Sequence, residues 1–300
     1  MLLEIKDLHK SFGTNEVLKG VSFKVQSGKA FAFLGRNGAG KSTTFHIIVD
    51  VFRANFGEIL LDGKPFTYNR DKIGYIPEEK VLYQKKKVLE QLLYFAELKS
   101  MPKKAAKDKI MEYLERLELV QYKDKPVSTL SKGNQQKVQM IIALVHDPEI
   151  IILDEPFSGL DPVNAEVLKM FVREEIAKDK IVLLSSHQMN YVEEFCSDMA
   201  ILNKGTVAVS GNIAEIKRSY ERNSIAVTST ENDTIKNEYA AHFTASDNIA
   251  RDTIQLHFDN VESARTAMKE ITARYEVDSI HLVEPSLNDI FVQYTGTKAE

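Results

Sequence analysis

The stretch GRNGAGKSTT, residues 35–44, lies between two apolar runs, FAFL and FHIIV. It fits the pattern G-x-x-x-x-G-K-[ST], in which Gly35, Gly40, Lys41 and Ser42 occupy the fixed positions. Glycines allow backbone N–H groups to turn inward around an anion, and a following helix adds the positive end of its dipole. The flanking runs predict a strand before the loop and a helix after it, so the stretch predicts a phosphate-binding loop.

Lys41 and Ser42 give this loop the chemistry of a nucleotide site. A lysine at this position reaches the β- and γ-phosphates, and the serine hydroxyl can ligate Mg²⁺. The alternative is a glycine-rich turn that holds no ligand. Because the lysine and the hydroxyl both fall in register, the sequence favours a bound nucleotide with Mg²⁺.

Asp154 and Glu155 end the apolar run IIIL and supply the acidic element that such a metal needs. Continuous apolar runs are typical of strands that are buried on both faces of a parallel sheet. A carboxylate beside the γ-phosphate can polarise the attacking water. By itself the run could end in a surface turn, but together with the loop it predicts Asp154 as a metal ligand and Glu155 as a catalytic residue.

His187 ends the next apolar run, in IVLLSSH. The carboxyl end of a parallel strand lies at the ligand-binding edge of an open α/β sheet. An imidazole there can hydrogen-bond the γ-phosphate or the attacking water, although a lone histidine is more often structural. The two preceding motifs favour a catalytic role for His187.

Composition and charge exclude several classes of protein. The chain has 300 residues, 43% of them hydrophobic, and a net charge of −4, which excludes wholesale disorder and gives no global attraction to nucleic acid. The single cysteine, Cys196, excludes an intramolecular disulfide framework and favours a reducing compartment. No apolar run reaches the roughly 18 residues of a membrane helix, and the N-terminus lacks the pattern of a signal peptide. We therefore expect a soluble, cytoplasmic protein without a nucleic-acid partner.

The order of strand and helix patterns predicts two domains. Strand patterns dominate the first part of the chain, and a helical pattern covers about 78–146, interrupted at Pro102 and Pro126. The polar stretch SYERNS marks a boundary. We predict an ATPase domain at 1–220 and an accessory α+β domain at 221–300.

Two more motifs complete a family pattern. TLSKGNQQK at 129–137 and SGLD at 158–161 join the loop, LDEP and SSH in the order found in ATP-binding subunits of ABC transporters. The chain resembles this family over roughly residues 2–220: LSKGN resembles its signature, usually LSGGQ, and SGLD resembles its D-loop. Alone, LSKGN would also suit a serine-capped helix start. The resemblance implies an α/β fold, a P-loop NTPase of the ABC type with a mixed sheet core and a helical subdomain, plus a small C-terminal α+β domain.

The resemblance also implies an ATPase that dimerises around two Mg-ATP. Ser131 and Gly133 of one subunit would close over the γ-phosphate held by Lys41 of the other, and hydrolysis by way of the catalytic residues Glu155 and His187 would release the dimer. The implied ATP-binding residues are Phe12, Gly35, Asn37, Gly38, Gly40, Lys41, Ser42, Thr43, Ser131, Gly133 and Asp161. The implied Mg²⁺ ligands are Ser42, Asp154 and Glu78. Phe12 would stack on adenine; its alternative is a buried phenylalanine at a strand end.

Three residues depart from the family pattern. Glu78 stands where the Q-loop normally carries glutamine, so a carboxylate replaces an amide and one hydrogen-bond donor is lost. Lys132 replaces the first signature glycine and Asn134 replaces the glutamine, while Gly133 remains. We expect ATPase activity to survive all three changes.

GYIPEE, LSKGNQQK and the tail EPSLNDIFVQYTG resemble the branch that includes bacterial sodium-extrusion ATPase subunits and antibiotic exporters. This implies export of sodium, a drug or a peptide through an ABC-2-type integral membrane permease. The second ATPase subunit would be another copy or a close paralogue. The protein would then lie on the inner face of the bacterial plasma membrane, held there through the permease. Its C-terminal domain would dimerise, pack on the ATPase or regulate it, or serve as a passive extension.

Soluble ABC ATPases that are not tied to transport are the alternative. A translation-associated protein usually carries two cassettes and a charged linker, whereas this chain has one phosphate loop. A DNA-repair ATPase would need a long coiled coil between the loop and the signature, where the prolines interrupt the helices instead. A cluster-assembly ATPase is the rival that the sequence excludes least firmly.

Overall fold

The computed structural model describes residues 1–66, 70–79, 81–244 and 252–296. The chain divides into two compact units, the first comprising residues 1–213 together with the residues from Phe291 onward, and the second comprising residues 214–290. The division falls a few residues before the boundary expected at 220, and the end of the chain clusters with the first unit.

Among the residues that the structure describes, the first unit is built on two sheets and six α-helices. Its strands are β1 (Leu2–Phe12), β2 (Asn15–Gln26), β3 (Ala30–Gly35), β4 (Phe56–Leu61), β5 (Lys64–Pro65), β6 (Ile73–Ile76), β7 (Ile150–Asp154), β8 (Ile181–Ser185), β9 (Cys196–Asn203) and β10 (Thr206–Asn212). Its helices are α1 (Lys41–Ile48), α2 (Val88–Leu98), α3 (Lys103–Arg116), α4 (Lys132–Leu144), α5 (Pro162–Ala177) and α6 (Met189–Phe195).

A six-stranded sheet in the order β10-β9-β3-β8-β7-β6 positions the candidate site. β9, β3, β8, β7 and β6 run parallel, and β10 closes the edge as the antiparallel arm of a hairpin. Every residue of β3, β7 and β8 is buried, as the continuous apolar runs predict. Because these three strands are parallel neighbours, the phosphate loop, Asp154 and Ser185 all emerge at one edge of the sheet.

The second sheet of this unit is antiparallel, in the order β2-β1-β4-β5. β1 and β2 are long strands of 11 and 12 residues. β1 contains a bulge, where the pairing shifts register between Ile5 and Leu8 and Asp7 adopts a φ of 50°. The Asp7 N–H donates to Ser22 Oγ at 2.8 Å, so the bulged backbone keeps a partner and the strand resumes at Leu8.

The helical pattern is confirmed as α2, α3 and α4, with Pro102 directly before α3. The predicted fold class, a mixed α/β sheet core with a helical part and a small C-terminal α+β unit, is confirmed. Within the residues that the structure describes, none of the helices combines the length and the apolar character needed to cross a bilayer.

The second unit is built on an antiparallel sheet in the order β12-β13-β11-β14. Its strands are β11 (Ser224–Thr228), β12 (Phe243–Thr244), β13 (Thr253–His257) and β14 (Ser279–Val283), with helices α8 (Asn232–Glu238) and α9 (Val261–Arg274). Ile225, Val227, Leu256 and Ile271 form part of its own buried core. Two further helices, α7 (Ile213–Ser219) and α10 (Leu287–Thr295), run across the two points where the chain passes between the units.

Candidate nucleotide site

The phosphate loop leaves β3 at Gly35 and enters α1 at Lys41. Gly40 caps the helix with a left-handed φ of 112°, and a Cβ added there would lie 2.6 Å from Leu18 Cδ2. Both the backbone conformation and the packing therefore require glycine at this position. The sequence-predicted residues Asn37 and Gly38 lie in the loop, where the structure brings them beside the start of α1.

Lys41 folds back into the loop. Its Nζ donates to the Gly35 carbonyl oxygen at 2.6 Å, and the side chain is buried. Burial lowers the pKa of the Lys41 amino group, and the nearby carboxylates of Glu155, Asp154 and Glu78 act in the opposite direction. A lysine held in this way is a buried donor to which an anion in the loop could bind.

Asp154 is bracketed by two hydroxyl groups at the sheet edge. Ser42 Oγ donates to Asp154 Oδ2 at 3.1 Å, and Ser185 Oγ donates to Asp154 Oδ1 at 2.5 Å. The motifs predicted that Ser42 and Asp154 would both bind the metal, and the fold brings their side chains into contact. A hydroxyl and a carboxylate are hard oxygen ligands, and Mg²⁺ is commonly held by one or two such groups together with phosphate oxygens. The residues present therefore fit a magnesium ion.

Ser185 is a site residue that the sequence reasoning missed. It lies opposite Asp154 in the parallel pairing of β7 and β8, and its Oγ also accepts the Glu155 N–H at 3.0 Å. The only local hint of a role for Ser185 is its place in the serine pair that precedes His187. The contact depends on the pairing register of two strands that lie far apart in the sequence.

Glu155 and His187 face each other. Glu155 Oε2 accepts the His187 backbone N–H at 3.3 Å, and Glu155 Oε1 lies 3.3 Å from His187 Nε2. The Glu155 backbone has a φ of 51°, which is unusual for a residue other than glycine and typical of functional sites. Burial raises the pKa of the Glu155 carboxyl to about 7. The arrangement suits a group that accepts a proton near neutral pH.

Glu78 follows β6 and is exposed. Its charge acts on Lys41 and Glu155, and also on the hydroxyl of Tyr75, whose pKa is raised by burial. The structure therefore places Glu78 on the same side of the sheet as the phosphate loop.

Phe12, the predicted adenine platform, lies at the end of β1. Its side chain is 48% exposed, so it is not the buried strand-end phenylalanine of the alternative interpretation. The Phe12 and Phe52 rings pack edge to face, with their centroids 5.3 Å apart. Lys10 Nζ lies 5.2 Å from the centroid of the Phe12 ring. Phe52, which the sequence gave no reason to single out, thus supports an aromatic surface that is open to a base.

The signature and the D-loop meet each other in this chain. Ser131 caps α4 and its Oγ accepts the Asn134 N–H at 3.2 Å, while Asp161 caps α5 and accepts from both nitrogens of Asn164 at 3.0 and 2.6 Å. A Cβ added to Gly133 would lie 2.8 Å from Asn164 Nδ2. The approach of Gly133 to Asn164 joins the signature helix to α5, whereas the two caps are contacts within each segment.

Comparison with known proteins assigns both parts of the chain. Residues 18–158 match a family model described as ABC transporter. Residues 211–295 match one described as ATP-binding protein DrrA1-3-like, C-terminal domain. The second match covers the region of the small α+β unit.

Relatives match over the full chain. The ABC transporter ATP-binding protein YhaQ of Bacillus subtilis is 38% identical over 300 residues, which cover all of both chains. Nod factor export ATP-binding protein I of Burkholderia lata is 29% identical over 305 residues, covering 99% of this chain and 98% of its own.

Solved structures match more than two thirds of the chain. A structure described as the ATP binding subunit of an ABC transporter superposes with a TM-score of 0.67 at 33% identity, covering 73% of this chain and 93% of its own. The ADP conformation of an ATP-binding cassette gives a TM-score of 0.63 at 25% identity, covering 71% and 92%.

Proposed function

This chain belongs to the ABC transporter ATP-binding proteins, which hydrolyse ATP to power transport, and on that premise we propose that two copies close around two Mg-ATP and drive export. The observation that carries this proposal is the convergence of Lys41, Ser42, Asp154 and Glu155 at one edge of the parallel sheet. Phosphoryl transfer requires mainly positioning and charge stabilisation, and these residues supply both.

Each residue of this edge has a role in the proposal. Lys41 releases the Gly35 carbonyl and binds the β- and γ-phosphates, while Ser42 and Asp154 hold Mg²⁺. Held by these two residues, Mg²⁺ would supply positive charge to offset the negative charge on the phosphates. Glu155 accepts a proton from the attacking water, and His187 holds that carboxylate and the γ-phosphate in place.

The remaining predicted residues complete the nucleotide pocket. Phe12 would stack on adenine, Asn37, Gly38 and the first turn of α1 would surround the phosphates, and Glu78 would be a further ligand of the ion. These roles follow from the family pattern.

We propose two copies because, in the family pattern, the signature of one subunit acts on the nucleotide held by the other. Ser131 caps α4 and contacts Asn134, and Gly133 faces Asn164. The start of a helix presents backbone N–H groups and is suited to an anion. We propose that this end of α4 binds the γ-phosphate held by the other copy and that Asp161 lies in the same interface.

An exposed aromatic cluster provides a surface for the membrane partner. Tyr83, Tyr94 and Leu98 are large apolar side chains exposed to solvent, and the rings of Tyr83 and Phe95 stack at 6.1 Å. Three consecutive lysines at 85–87, which begin two residues after Tyr83, add positive charge next to this cluster. Exposed apolar clusters mark interaction sites. We propose that an ABC-2-type permease docks here and holds the protein at the inner face of the plasma membrane.

Export, rather than uptake, is favoured by the match to a DrrA1-3-like C-terminal domain and by a relative whose name describes Nod factor export. The exported substrate is proposed from resemblance alone, as sodium, a drug or a peptide. We also propose that the ATPase domain ends near residue 220 and that the accessory domain follows it.

The dimer is tested with Ser131→Asp in a Glu155→Gln background. Glu155→Gln should be monomeric alone and dimeric with Mg-ATP when measured by size-exclusion chromatography with light scattering. Aspartate still caps a helix but repels the γ-phosphate, so the double variant should bind ATP yet dimerise at least about tenfold more weakly. Ser131→Ala, which removes the cap without adding charge, is the matched control. Equal dimerisation of the aspartate and alanine variants would contradict the proposed clamp.

The permease surface is tested with Tyr94→Glu. Tagged wild-type protein, solubilised with membranes from its own cells, should co-purify with a polytopic membrane protein in stoichiometric amount. Tyr94→Glu should lose that partner because it places a charge in the apolar cluster, whereas Phe56→Glu, which alters a more exposed aromatic on β4, should keep it. Co-purification with soluble scaffold proteins instead would support the cluster-assembly alternative.

A further inference from the structure

Four charged residues join α5, which follows the D-loop, to α6, which follows His187. We call Glu166, Lys169, Arg173 and Glu194 the α5–α6 clasp. None of them belongs to a nucleotide-binding motif. On the sequence alone they are indistinguishable from the solvated charges of two surface helices.

The clasp is closed by four short contacts. Lys169 Nζ lies 2.6 Å from Glu194 Oε2 and 3.4 Å from Glu166 Oε2. Arg173 Nη1 lies 2.8 Å from Glu166 Oε1, and Nη2 lies 2.5 Å from Glu194 Oε1. The Lys169 side chain is only 9% exposed. Each cation thus contacts both carboxylates, and a nearly buried lysine is compensated at two positions.

Aromatic contacts connect α6 both to α5 and to the segment that follows Glu155. Lys169 Nζ lies 4.6 Å from the centroid of Tyr191. Phe157, two residues after Glu155, packs its buried ring against Tyr191 at 5.3 Å and against Phe195 at 5.7 Å. α6 is therefore fixed between the chain segment that carries Glu155 and the charged face of α5.

The clasp and the aromatic contacts support the position of α6, together with its buried side chains Met189 and Val192. This helix has seven residues and no side-chain hydrogen bond at its N-cap, Gln188, and a helix so short is not stable by itself. His187 directly precedes that cap and makes both of its contacts to Glu155 from this segment. A small displacement of α6 would therefore separate the imidazole from the carboxylate.

We infer that Lys169 and Glu194 are positioning residues for the hydrolysis of ATP, which hold His187 against Glu155 through α6. The inference rests on the proposed role of His187 and adds to it the structural element that sets its geometry. Because the D-loop residue Asp161 caps α5, the clasp also links the proposed dimer contact to the histidine.

A matched control is the ion pair between α3 and α5. Arg116 of α3 pairs with both carboxylate oxygens of Glu174 on α5, at 2.6 and 2.7 Å, and its guanidinium lies 4.3 Å from the Phe171 ring. This cluster has the same chemistry, a cation over an aromatic ring paired with a carboxylate, but it does not involve α6.

The first experiment compares Lys169→Met with Arg116→Met. Methionine keeps the apolar stem over Tyr191 and removes the charge. We expect kcat to fall about tenfold in Lys169→Met, because misplacing a catalytic group slows the reaction, while KM for ATP stays within about twofold. Lys169→Arg should restore most of kcat, and Arg116→Met should leave kcat unchanged. Equal effects of Lys169→Met and Arg116→Met on kcat would overturn the inference.

A double-mutant cycle with His187→Ala separates the inference from its premise. If Lys169 acts through His187, Lys169→Met should cause no further loss of kcat in the His187→Ala background. If His187→Ala lowers kcat and Lys169→Met multiplies that loss by its full single-variant factor, the positioning role is wrong and the proposed role of His187 stands. If His187→Ala keeps the wild-type kcat, the proposed role of His187 fails and the inference fails with it.

Discussion

Glu155→Gln is expected to lower the rate of ATP hydrolysis by a factor of about 10²–10³ while Mg-ATP binding is retained. The glutamine amide has almost the same shape as the carboxyl group, so it can still accept the His187 N–H that Glu155 Oε2 accepts at 3.3 Å. It cannot take a proton from water. The loss should therefore appear in kcat and leave the nucleotide affinity nearly unchanged.

The measurement is steady-state phosphate release together with equilibrium binding of a fluorescent ATP analogue. Glu79→Gln makes the same chemical change at an exposed glutamate that follows β6, so it is the matched control. We expect Glu79→Gln to hydrolyse ATP at close to the wild-type rate. A wild-type rate in Glu155→Gln would remove Glu155 from catalysis altogether.

Lys41→Ala is expected to weaken ATP binding by about 10- to 100-fold, in line with the loss of charge-assisted hydrogen bonds to phosphate. Lys41 Nζ is buried and its hydrogen bond to the Gly35 carbonyl holds it inside the loop. Its amino group can move from that carbonyl to a phosphate without a large rearrangement. Alanine leaves the phosphates without this donor, and the nearby carboxylates of Asp154 and Glu155 then repel the nucleotide more strongly.

Isothermal titration calorimetry with Mg-ATP would measure this loss. Lys72→Ala is a suitable control, because Lys72 is an exposed lysine that pairs with Glu149 at 2.7 Å. Its affinity for ATP should match the wild type. Undiminished ATP affinity in Lys41→Ala would show that the glycine-rich stretch does not hold the phosphates in the proposed way.

Local patterns predicted much of the fold because they act through the backbone. The apolar runs before Asp154 and His187 are buried strands, and the helical stretch from 78 to 146 contains three helices. The bulge at Asp7 was not predicted, because it requires a partner strand that supplies Ser22. The helix α10 was not predicted either.

The candidate site likewise contains residues that the motifs predicted and residues that they could not. Lys41, Ser42, Asp154 and Glu155 were singled out from motifs, and the fold places them together. Ser185 was missed because its contact with Asp154 exists only through the register of β7 against β8. Phe12 was recognised by its position in the family pattern, but its contact with Phe52, which comes from a separate loop, exists only in the folded chain.

The sequence by itself determined the phosphate loop, since a glycine pattern acts on the local backbone and a lysine and a hydroxyl follow it at fixed spacing. It also determined the buried strands, because a continuous apolar run is stable only where both of its faces are removed from water. Only the tertiary structure decided which side chains meet across elements: Ser185 with Asp154, Asn164 with Gly133, and Lys169 with Glu194. Such contacts depend on strand register and helix packing, which are set by the whole core and leave no periodic signal in the chain.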